Sequence, residues 1–130
     1  MQENRVVEAY LARTSLPYRE LSAGTWIMDD DGDEIPPMVV SLAPPVIIFS
    51  CRVCPIPERA DSKFFRALLE LNGSEMTAGA YGVVDDWVVI SDTLQSENLD
   101  YNEFHGVVDG IVMALSAHFP KLKGLADLCG

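Results

Sequence analysis

Apolar residues recur along this chain in two rhythms, and each change of rhythm marks a boundary. Between Gln2 and Arg13, Val6, Val7, Tyr10 and Leu11 return at helical spacing and share one face. The segment ends near Ser15-Leu16-Pro17, where the proline disfavours helix at the residue before it. Three stretches rich in β-branched and aromatic residues follow, GTWIM (24–28), PMVVSLA (37–43) and PVIIFSCRV (45–53). They are separated by DDDGDE (29–34) and by Pro44-Pro45, and predict a three-stranded antiparallel meander. Prolines at strand starts are compatible with this, because the missing N–H falls at the end of a ladder.

Asp61 or Ser62 can cap a second helix carrying Phe64, Phe65, Leu68, Leu69 and Leu71, with Asn72-Gly73 as its stop. GAYGVV (79–84) and WVVISDT (87–93) then flank Asp85-Asp86, an acidic pair suited to a hairpin turn. Asp100 and Glu103 form a capping box in which Asp takes the usual place of Ser or Thr. The helix they open has a continuous apolar stripe of Phe104, Val107, Val108, Ile111, Val112, Leu115 and Phe119, and Pro120 is its expected end. The order α-β-β-β-α-β-β-α, without repeat or linker, predicts one α+β domain over residues 1–130, an antiparallel sheet packed with helices.

Composition narrows the function classes. A chain of 130 residues with 48% hydrophobic content can bury one core. Nine basic against 20 acidic residues give a formal net charge of −11, which repels nucleic acid and anionic membranes. The opening MQENRVVEAY lacks the layout of a signal peptide, and no apolar run approaches a bilayer span, so a cytoplasmic location is expected. Three cysteines, an odd number, fit a reducing compartment better than a disulfide framework.

The stretch from Leu68 to Phe119 resembles the YbjN family and the related fold of class I type III secretion chaperones. The likeness is carried by a helix end with Leu68, Leu69, Leu71 and Asn72, a hairpin, an entry of Asn98, Leu99 and Asp100, and a long closing helix. The first half of the chain shares the order of elements. The resemblance implies a compact protein without cofactor or catalytic residues, often dimeric, that binds other polypeptides. It implies either a YbjN-like regulatory role or a type III chaperone that holds the N-terminal segment of an effector. It transfers no binding residue.

Individual motifs favour structure over chemistry. With Gly32 at position 6 of an EF-hand loop, Asp29 and Asp31 fall on ligand positions 3 and 5, but Ile27 and Met38 fall on 1 and 12. DDDGDE therefore reads as a turn. Cys51 and Cys54 form a C-x-x-C before a helix, the order of a dithiol redox site, which is the rival function. Pro55 and Pro57 hold these thiols away from the helix start, and on a regular strand the two side chains would point to opposite faces. Zinc would need further ligands, and Cys129, His105 and His118 lack motif spacing. His105 is expected on the solvent side of the last helix and His118 at its frayed end. No catalytic, metal or cofactor site is expected.

Two features suggest contact surfaces. Gly106, Gly110 and Ala114 form a small-residue ridge, although each glycine disfavours a helix interior by about 1 kcal/mol. Either a second subunit meets this ridge in a homodimer or the first helix of the same chain packs there. In the strand 45–53, Val46 and Ile48 keep the second face apolar, so that face is either covered or open to a partner polypeptide. Trp26 and Trp87 are the candidate aromatic anchors.

Overall fold

Capping and turn chemistry place the elements closely where the sequence rhythm puts them. The computed structural model describes residues 2–29, 35–74, 76 and 78–129. In chain order the elements are α1 (Gln2–Arg13), β1 (Tyr18–Ser22), β2 (Thr25–Met28), β3 (Met38–Ala43), β4 (Val46–Pro55), α2 (Ser62–Ser74), β5 (Ala80–Val84), β6 (Trp87–Gln95) and α3 (Tyr101–Cys129). The strands form one antiparallel sheet in the order β1-β2-β3-β4-β6-β5. Only the β4 to β6 step skips a strand in sequence, and α2 lies within that crossover, after which β5 takes the far edge.

Four strands, not three, precede α2. The additional strand, β1, reads YRELS, is exposed along its whole length and pairs with β2 across the glycine turn at Gly24, whose φ is +82°. Its expected neighbours pair as the meander requires. Met28 faces Met38 across β2 and β3, and all of DDDGDE after Asp29, where a turn is expected, lies outside the described residues.

Local chemistry explains the boundaries. The Asp61 carboxylate accepts hydrogen bonds from the Lys63 and Phe64 amides at 3.1 and 3.3 Å, making it the N-cap of α2. At α3 the Glu103 amide donates to the Asp100 carboxylate at 2.7 Å, and the Asp100 amide donates back to Glu103 at 3.4 Å, completing the capping box. Asp85 and Asp86 adopt φ of +49° and +63°, the left-handed pair that a type I′ hairpin turn needs.

Two helix stops fall elsewhere. α2 runs on through Asn72 to Ser74, and the Asn72 side chain is used sideways. It accepts the Tyr81 amide at 2.7 Å and donates to the Tyr81 carbonyl at 3.0 Å, bonding the helix to strand β5. α3 continues through Pro120 to Cys129. Its continuation is tied down by packing, since Leu122, beyond the proline, is fully buried.

All three helices pack on one side of the sheet, where the core lies. Phe104 of α3 meets Phe49 of β4 edge to face at 5.3 Å and Tyr10 of α1 at 5.6 Å. Phe64, Leu68 and Leu71 bring α2 into the same core. The start of α3 also holds the end of α1: the Arg13 guanidinium lies 3.8 Å from the centre of the Tyr101 ring, and the Tyr10 hydroxyl donates to the Leu99 carbonyl at 3.0 Å.

Candidate polypeptide-binding surface

Among the described residues no helix lies on the opposite side of the sheet. Because side chains alternate along a strand, paired residues on this side line up in rows across the strands. One row crosses all six: Arg19, Ile27, Val39, Ser50, Ser91 and Ala80. The next contains Thr25, Ser41, Ile48 and Thr93. Beyond these lie Ala43, Val46 and Gln95 at one end, and Arg52, Val89 and Gly82 at the other, followed by Trp87 and Val84. Ile27, Val39, Val46, Ile48, Val89 and Trp87 are all half-buried, whereas their strand neighbours on the other side are closed from solvent.

An antiparallel sheet with one solvated face ordinarily presents polar side chains there. This face instead alternates β-branched aliphatics with Ser, Thr and a single Trp. Its charged residues on the strands are Arg19 and Arg52, and the Arg52 guanidinium lies 5.2 Å from the centre of the Trp87 ring. For a chain of net charge −11, a surface to which the strands contribute no carboxylate is a marked local departure.

The structure redistributes the residues singled out in the sequence. Val46, Ile48 and Trp87 come together on the open face. Trp26 does not: it lies on the helix-covered side with 0% exposure, and its indole N–H has no hydrogen-bond partner among the described residues. Alternation decides this, because Trp26 pairs with Val40, a core residue of β3.

The small-residue ridge also divides. Gly106 is exposed with open space around it, whereas Gly110 and Ala114 are buried. A Cβ on Gly110 would collide with the Ala78 Cβ and lie 3.3 Å from the Ala78 backbone nitrogen. Gly110 thus packs against the segment before β5 of its own chain, not against α1. Sequence reasoning missed further exposed apolar residues: Phe65 and Leu69 on α2, Val83 on β5 and Met113 on α3, besides Val84 on the open face. Leu69 is 68% exposed, and its position one helical turn after Phe65 was the available signal.

Neither cysteine suits dithiol chemistry. The register shifts between Arg52 and Cys54, so Val53 is an extra residue and Cys54 pairs with Val88 while Cys51 pairs with Ile90. This bulge puts both thiols on the core face, in place of the opposite faces expected of a regular strand. Both are buried and neither forms a disulfide with a described residue, and burial pushes the Cys51 thiol up to about 12, which suppresses the nucleophilic thiolate.

The histidines are equally occupied. His105 stacks on Tyr101 and reaches Asp109 at 2.8 Å, one turn further along α3. His118 is buried rather than frayed, because the helix continues past it, and its Nδ1 is hydrogen-bonded to the Tyr81 hydroxyl at 3.0 Å. Burial, with a further push from Cys51, raises the Tyr81 hydroxyl above its ordinary pKa. Among the described residues no group of three or more His, Cys, Asp or Glu could hold a metal ion. A cleft of about 370 Å³ lies between α1 and the β6–α3 connection. Its polar lining is Glu3, Ser96, Glu97 and Asn98, beside aliphatic side chains. Among the described residues no helix is long and apolar enough to cross a membrane.

This architecture, a six-stranded antiparallel sheet with three helices packed against it, is the α+β fold of the secretion-chaperone class. The chain belongs to the CesT_Tir_1 family, whose model matches residues 1–127. No curated protein matches it in sequence. Among solved structures it is similar to a chain of the ExsC–ExsE complex, with 16% identity, a TM-score of 0.68 and 93% of each chain covered. YbjN from E. coli is similar at 16% identity and a TM-score of 0.67, over 95% of this chain and 92% of that one. A chain of the heterodimeric ExoU–SpcU complex from the type III secretion system of Pseudomonas aeruginosa matches at 15% identity and a TM-score of 0.64, over 89% and 93%. At these identities the structural likeness establishes the fold.

Proposed function

We propose that this protein is a cytoplasmic, non-catalytic polypeptide-binding protein of the chaperone type, which holds a segment of another protein on the open face of its sheet. The observation that carries the reading is the face itself: half-buried Ile27, Val39, Val46, Ile48, Val89 and Trp87, with no helix of the described residues over them. A surface that mixes half-buried aliphatics and a Trp with small polar side chains and Arg suits contact with a partner. Membership of the CesT_Tir_1 family supports a polypeptide partner, and so do the complexes among its structural neighbours: one is a chaperone–effector complex, HopA1–SchA, matched at 12% identity and a TM-score of 0.55. A regulatory role is the second reading, favoured by the likeness to YbjN. A homodimer belongs to either reading. For it the exposed Phe65 and Leu69 of α2 are a candidate contact beside the glycine ridge.

The test is mild crosslinking in the native cells, followed by mass spectrometry of what co-purifies with the wild-type protein and with Ile48→Asp. One dominant partner, captured through an extended N-terminal segment and lost from the variant, is the chaperone result. Several regulators, or only a second copy of the chain, favour the regulatory role. Equal capture by both proteins would remove the open face as the binding surface.

A further inference from the structure

The chemistry of the open face selects among polypeptide partners, an inference that rests on the polypeptide-binding reading above. The six-strand row from Arg19 to Ala80 spans about 24 Å at the usual strand spacing. That is enough for one extended segment or one helix to lie across the sheet. Interface centres are depleted of Asp, Glu and Lys and enriched in aromatics and Arg. This face follows that pattern with Trp87 and Arg52, in a chain with 20 acidic residues.

What covers it must satisfy its charges. Arg52 is exposed and makes no ion pair with a described carboxylate, and its guanidinium is held at the Trp87 ring. A second copy docked face to face would bring further arginines and no carboxylate from its strands. The positive charges would then be buried against one another, which is strongly unfavourable. A partner that brings both aliphatic side chains and carboxylates resolves this. Carboxylates stand at the margins: Asp29 beside Arg19 in a shallow cleft with Pro17, Tyr18 and Ile27, and Asp85 and Asp86 in the turn that leads into Trp87.

We propose that the open face binds a partner segment of interleaved apolar and acidic residues, with the apolar side chains on Ile48, Val89 and Trp87 and a carboxylate on Arg52. The attraction is local. At physiological ionic strength the Debye length is about 8 Å, so the acidic residues elsewhere on the chain are largely screened from the docked segment.

Trp87 supplies the readout, because it lies on this face whereas Trp26 is fully buried on the helix-covered side. Two synthetic 12-residue peptides with the same leucines, one interleaved with glutamate and the other with lysine, are titrated into the full chain at 0.15 M salt. The glutamate peptide is expected to shift Trp87 emission to the blue and to bind about two- to five-fold more tightly, the value of one exposed ion pair. Arg52→Glu, an exposed substitution, should invert the order with unchanged circular dichroism. Trp87→Phe should abolish the spectral response. If the lysine peptide shifts Trp87 equally or more strongly in the wild type, acid selectivity is wrong while polypeptide binding stands. If neither peptide shifts Trp87 and neither binds by calorimetry, both readings fail for this face. If Ile48→Asp converts a dimer to a monomer, the occupant is a second copy and the proposal is overturned.

Discussion

The two faces of the sheet are made from the same strands, often from adjacent residues, yet follow different rules. On β4, Ile47, Phe49 and Cys51 are sealed beneath α3, whereas Val46, Ile48 and Ser50 between them are half-open. The covered face is specified by packing, with fully buried aromatic side chains and polar groups such as Tyr81 and His118 bonded to each other. The open face is also rich in β-branched residues, but no helix of the described residues lies on it. Apolar character alone therefore does not locate a core; the number of layers over a strand does.

Substitutions on the two sides should separate sharply. Phe104→Ala removes a ring packed on Phe49 and Tyr10 and is expected to lower stability by about 3–5 kcal/mol in urea unfolding. Ile48→Asp, on the open face, should stay within about 1 kcal/mol. Comparable losses for both would mean that the second face is covered within the chain.

Gly110→Leu comes next. Its side chain has to displace Ala78, so overpacking of about 1–3 kcal/mol is expected, with no change of oligomeric state in size-exclusion chromatography. A shift from dimer to monomer without loss of stability would restore the glycine ridge as an interface. Asp100→Ala, which removes the α3 cap, should lower the unfolding free energy by about 1 kcal/mol.

The smallest effect at neutral pH is that of the buried thiol. Cys51 has its pKa raised to about 12 in the folded state, above its unfolded value, so the folded state retains the proton that the unfolded chain loses. The stability it contributes is fully present below the unfolded pKa and is lost as pH rises through about 12. Iodoacetamide at pH 8 should accordingly modify Cys51 in urea but not in the folded protein. Rapid labelling of the folded protein would reopen the dithiol reading.

Legibility in the sequence tracked the strength of local signals. Asp61, Asp100 and Asp85-Asp86 announced their caps and turn because their side chains or backbone conformations act within three residues. The core stripe of α3 was equally plain. β1 was not, because YRELS is exposed and lacks the apolar alternation that marks a half-buried strand. Pro120 was misleading because burial of Leu122 holds the helix together beyond it, a tertiary effect. The bulge at Val53, which brings Cys51 and Cys54 to one side, depends on how β4 registers with β6. For the surface, the apolar character of Val46 and Ile48 was visible, but which partners stood beside them was not. Trp26 and Trp87 look alike in sequence, and only strand register sends one inward and the other out.

The central claim is that polypeptide binds the uncovered face and not the helical side. Its most direct test is calorimetric titration of the captured partner segment into the wild type, Ile48→Asp and Leu69→Asp, all confirmed as folded. Ile48→Asp should weaken binding by about ten-fold or more, as expected for a contact near the centre of an interface, while Leu69→Asp leaves it unchanged. Loss of binding in Leu69→Asp, with Ile48→Asp unaffected, would contradict the account and move the partner to α2.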